Sequence, residues 1–110
     1  MTNTSELAAE FIKNRRMPLP VIDAHAHMGA NYGTYMSKAT PEGMIEIMDR
    51  ENIESVFCAP HSALFDPVRQ NEEIEQVMAK YPGRFYGYFT FNPNYCAEYE
   101  KNINRVRNVR

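Results

Sequence analysis

Three stretches of strand length, residues 20–27, 53–59 and 84–91, alternate with stretches whose apolar residues recur at helical spacing. No other feature constrains the fold as much. Strands separated by helices cannot close as tight hairpins; they pair in parallel through crossovers that lay the helices on the sheet. A leading helix is expected, capped by Thr4 or Ser5, with Leu7, Ala8, Phe11 and Ile12 on one side. Lys13, Arg15 and Arg16 fall in its last turn, and Pro18 and Pro20 stop it. Thr40, Pro41 and Glu42 supply a capping hydroxyl, a first-turn proline and an acid for a second helix, striped by Met44, Ile45, Ile47 and Met48. Asn71 is read as the cap of a third helix, in which Ile74, Val77, Met78 and Tyr81 recur at i, i+3, i+4 and i+7 until Pro82 and Gly83 end it. Cys96, Tyr99, Ile103 and Val106 mark a last helix. The expected class is α/β, with parallel β/α units repeated three times behind a leading helix.

The first strand carries the chemistry. Unbroken alternation puts Asp23, His25 and His27 on one face and Ile22, Ala24 and Ala26 on the other. Histidines two apart stand roughly 6.6 Å apart at Cα. Imidazole binds zinc at about 2.0–2.1 Å, so both rings can lean onto one ion at the strand end. Gly29 then allows a sharp turn. A single strand histidine is ordinarily a packing residue. Two at this spacing, with a carboxylate beside them and an apolar run before them, point to a metal site. Residues 28–39, with Tyr32, Gly33 and Tyr35, follow as a candidate rim.

The same parity runs through the other strands. Ser55, Phe57, Ala59 and His61 oppose Val56 and Cys58; Tyr86, Tyr88, Thr90 and Asn92 oppose Phe85, Gly87, Phe89 and Phe91. If the more apolar sets meet the helices, the other sets share an inward face. Its ends hold His25, His27, His61 and Asn92 at the carboxyl ends of strands, where α/β folds place their sites. His61 and Asn92 are therefore candidates for substrate contact. His61 also suits a plain loop histidine, and Asn92, before a proline, suits a turn. Tyr32, Tyr35, Tyr86 and Tyr88 can stack on a substrate ring or pack within the fold.

Composition excludes several classes. The 110 residues have a formal net charge of -2, close to neutral, which does not suggest nucleic acid as the main partner. No apolar run reaches the length of a membrane span, and polar, acid-bearing residues 1–10 do not read as a signal peptide. Cys58 and Cys96 lack the spacing of a metal or redox pair and read as buried, reduced thiols of a cytoplasmic protein. Lys101, Arg105, Arg107 and Arg110 form a basic stretch without acids, read as a solvated helix face in preference to a patch for an anionic ligand.

Asp23-Ala24-His25-Ala26-His27 after an apolar strand resembles the opening of the amidohydrolase superfamily. The helix-then-strand pattern from Met44 to Val56, the Tyr81-Pro82-Gly83-Arg84-Phe85 stretch, Gly87 and the Asn92-Pro93 turn make it similar to the amidohydrolase-related branch that includes aminocarboxymuconate-semialdehyde decarboxylase. The resemblance covers nearly the whole chain. It implies a TIM barrel with a divalent metal, often zinc, at its top. His25 and His27 match the first two metal ligands, and Asp23 matches the motif's acid in a supporting role. It also implies a small-molecule substrate: an amide, ester or lactone for hydrolytic members, an unsaturated or aromatic acid for decarboxylating ones. A complete barrel takes about 250 residues. Three β/α units are then expected to form a partial TIM barrel, the N-terminal portion of such an enzyme and inactive alone. It would be covered by self-association or by the complementing remainder of the barrel. A non-catalytic interaction domain with a vestigial metal site remains an alternative.

Overall fold

In the computed structural model, residues 4–31, 33, 35–95 and 103 are described. The elements run α1 (Thr4–Asn14), β1 (Val21–Met28), α2 (Pro41–Glu51), β2 (Ile53–Pro60), α3 (Pro67–Lys80) and β3 (Phe85–Gly87), with short 3-10 turns at His61–Leu64 and Pro93–Tyr95. The three strands form one parallel sheet in the order β1-β2-β3. The α/β class is therefore as expected, in the form of a small open sheet.

The core lies between this sheet and α2 and α3. Met28, Val56, Cys58 and Phe85 from the strands meet Met48 of α2 and Ile74 and Val77 of α3. Gly87 lets α3 come close: a Cβ there would stand 2.7 Å from Ile74 Cγ1. The opposite face is open, and Ile22, Tyr86 and Tyr88 are 59%, 42% and 43% exposed on it. α1 adds little cover. Leu7 alone is partly buried among its described side chains, and Ile12 of its stripe is exposed.

Helix α2 starts as its sequence dictates. Thr40 Oγ1 accepts from Gly43 N at 3.1 Å, and Pro41 fills the first turn. Its end rests on Asn52, in the left-handed region at φ 64, a conformation asparagine tolerates better than most residues. Asn52 N donates to Met48 O, its Nδ2 donates to Met17 O and its carbonyl accepts from Val21 N. Arg16 adds bonds to Asp49 O and Arg50 O. This cluster fixes where β1 enters the sheet.

Three boundaries differ from the periodicity. Arg15 and Arg16 lie beyond α1, with Arg15 turning the chain at φ 52. Asp66, not Asn71, caps α3: its Oδ1 accepts from Arg69 N at 3.1 Å and Pro67 follows. Asn71 is instead buried inside the helix and clamps Thr90, donating from Nδ2 to Thr90 O at 3.1 Å and accepting from Thr90 N at 3.0 Å. That clamp takes the place of a ladder partner, so β3 ends at Gly87 although the extended pattern continues to Phe91. The expected last helix, Cys96 and the basic stretch fall outside the described residues, save Ile103.

Candidate metal centre

The two imidazoles of β1 converge. His25 Nε2 and His27 Nε2 are 3.0 Å apart, and their ring centroids are 4.8 Å apart at 73°. The strand that carries them is bulged. Asp23 pairs with Val56 and Ala26 with Cys58, so three steps along β1 match two along β2. Paired residues of a parallel ladder share a face. Asp23 therefore sits beside Val56 on the helix side, where it lines a groove with Ala26, Met44 and Met48. The expectation that Asp23 shares a face with both histidines is corrected: alternation breaks between Asp23 and Ala26. The same irregularity leaves Ile22, paired with Ser55, on the open face rather than against the helices.

Two side chains hold the bulge. Asp23 Oδ1 accepts from His25 N at 2.9 Å. From the residue just after β3, Tyr88 reaches across the open face and its hydroxyl donates to Ala24 O at 2.6 Å. Phe57 lies below, with Tyr86 stacked on it at 4.9 Å and Tyr88 at 6.0 Å. Tyr86 and Tyr88 thus belong to one packed aromatic group. Tyr35 is 93% exposed and separate from it, and Tyr32 lies outside the described residues.

Backbone carbonyls orient two rings. His27 Nδ1 is 3.2 Å from Ala59 O. A carbonyl only accepts, so Nδ1 carries the proton and Nε2 of the neutral ring keeps its lone pair. His27 Nε2 then accepts from His25 Nε2–H. His61, the first residue after β2, makes the matching bond from Nδ1 to Gly29 O at 3.0 Å. Its ring stacks on His27 with centroids 4.8 Å apart and planes 10° from parallel. The structure therefore brings together His25, His27 and His61. Asn92 has a different engagement: its Oδ1 accepts from Asn94 N at 3.0 Å, within the turn.

The donor set suits half of a metal site. Two nitrogens each about 2.05 Å from a tetrahedral ion stand about 3.3 Å apart, close to the observed 3.0 Å. The backbone bond from His27 Nδ1 is the outer contact that metal-binding imidazoles ordinarily make. Among the described residues, no group of three or more His, Cys, Asp or Glu side chains is placed to hold one ion.

Cys58 is not part of this chemistry. Burial, and secondarily the negative charge of Asp23, push its thiol up to about 12, so it stays protonated. No helix among the described residues is long and apolar enough to cross a membrane. Sequence reasoning missed Tyr88 as a support for β1; its inward parity was visible, but its reach over β2 depends on the bulge turning Ala24 O towards it. No family model, no curated protein and no solved structure matches the chain.

Proposed function

We propose that this chain is the N-terminal β/α portion of a metal-dependent hydrolase of amidohydrolase type, acting on a small-molecule amide, ester or lactone. The observation that carries the reading is the 3.0 Å approach of His25 Nε2 and His27 Nε2 at the carboxyl end of β1. His25 and His27 would hold a divalent ion through Nε2, the His25 ring then carrying its proton on Nδ1, with zinc favoured by an all-imidazole pair. When bound, such an ion supplies a water acidified to a pKa of about 7 and polarises a carbonyl. The chain's own contribution is presentation. Ala59 O fixes the His27 tautomer, and the bulge braced by Asp23 and Tyr88 aims both rings the same way.

The open sheet face supports the larger architecture. Parallel sheets are ordinarily covered on both faces, and here Ile22, Tyr86 and Tyr88 stand uncovered beside the histidines. Further strands, continuing the curl into a (β/α)₈ barrel, would cover that face and bring the remaining ligands and the proton acceptor.

The test is metal content and affinity of the 110-residue chain. Zinc or cobalt should bind near one equivalent, weakly for a site with two protein ligands, and His25→Ala/His27→Ala should abolish it. Equal metal content in wild type and double variant would overturn the reading.

A further inference from the structure

We propose that His61 is a positioning residue for the metal pair, acting through the flat face of its ring on His27. The inference rests on the metal reading above and adds a component that the paired-histidine motif does not contain. Three observations carry it. The two rings are nearly parallel, 10° apart, with centroids at 4.8 Å. His61 is oriented by the packing of its ring on His27, with its Nδ1–H also bonded to Gly29 O at 3.0 Å. Gly29 is itself fixed, at φ 88 with its N–H on Ala39 O at 2.8 Å. The histidine after β2 is thus tied to the turn after β1, and its ring forms a wall beside His27.

The wall matters because His27 is otherwise held only at its ring edge, by Nε2 on the side chain of His25 and by Nδ1 on a backbone carbonyl. The bond from His27 Nδ1 to Ala59 O, at 3.2 Å, is long for an N–H donor and leaves rotation about the Cβ–Cγ bond weakly opposed. Rotation of that ring would break the carbonyl bond, release the tautomer and swing Nε2 away from His25. Stacking against a ring held from a different strand removes that freedom. His61 acts here through the face it lays on His27 rather than as a ligand. Its role is to keep a lone pair aimed.

Two substitutions separate the ring from its hydrogen bond. His61→Phe keeps a flat face and loses the bond to Gly29; His61→Asn keeps a donor for Gly29 and loses the face. Folding of each variant is checked by its amide spectrum. The first readout is the pair of ring ¹⁵N shifts of His27 in the metal-free chain. Wild type and His61→Phe should show a single Nδ1–H tautomer, and His61→Asn averaged tautomers. The second is cobalt affinity, expected to fall about tenfold in His61→Asn, the size of effect that outer supports of metal ligands have, and to stay within about threefold in His61→Phe. An unaveraged His27 in His61→Asn, or averaging in His61→Phe alone, overturns the proposal. Absence of cobalt binding in wild type overturns the metal reading instead, and the nitrogen shifts still decide the role of His61.

Discussion

Single residues set the chemistry of this chain, and their effects can be isolated. Tyr88 contributes one hydroxyl to a carbonyl on a strand that is not its neighbour. Tyr88→Phe should cost about 1 kcal/mol of unfolding free energy, the usual net worth of one hydrogen bond, measured by urea titration. It should also weaken metal binding, because Ala24 O is part of the bulge that converges His25 and His27. A variant with lower stability and unchanged affinity would remove Tyr88 from the support of the site. Cys58 allows an independent check of burial. A thiol pushed up to about 12 is thiolate in only about one molecule in ten thousand at pH 8. Its alkylation, followed by peptide mass spectrometry, should therefore proceed no faster than the chain opens. Rapid labelling at Cys58 in the native protein would contradict the packing of β2.

At the scale of elements, the helices are held to the sheet by close approach and to one another by charge. Gly87 of β3 faces Ile74 and Met78 of α3, and an added methyl group would crowd both. Gly87→Ala should cost about 1–3 kcal/mol through overpacking. Between helices, Glu42 accepts from Lys80 Nζ at 2.7 Å and Tyr81 Oη at 2.8 Å. The Lys80 bond, then a bond to its own backbone, then the Tyr81 bond hold its carboxyl down at about 2, against an ordinary 4.5. The unfolded chain thus takes up this proton first as pH falls, so the contribution is full above pH 4.5 and fades towards pH 2. Glu42→Gln should therefore be less stable than wild type at pH 7, with the gap closing through that window. A pH-independent gap would mean the pair does not form in solution.

Across the whole molecule, the decisive asymmetry is one covered face and one open face. On the helix side Met28, Cys58 and Phe85 are 1%, 0% and 1% exposed, while Ile22 and Tyr86 are 59% and 42% exposed on the other side. A hydrophobic dye should bind the chain. Ile22→Lys should reduce that signal while costing no more than about 1 kcal/mol of stability, as surface substitutions do. Unchanged fluorescence would place the dye on the helix side.

The alternation of strand and helix signals, the start of α2 at Thr40 and the pairing of His25 with His27 were all written locally, in residue type and spacing. The side of the sheet that meets the helices was legible for residues 55–59 of β2 and for β3, because there the period of two is unbroken. The rest depended on partners distant in sequence. Whether β1 keeps strict alternation is decided by its register with β2, so the side taken by Asp23 could not be counted along the chain. Asn71 is an ordinary capping type and became a clamp only because Thr90 passes beside α3. His61 is an unremarkable loop histidine until the turn at Gly29 places a carbonyl under one edge and His27 under its face. Local propensity dictated which elements form; the convergence of three imidazoles came from how those elements pack.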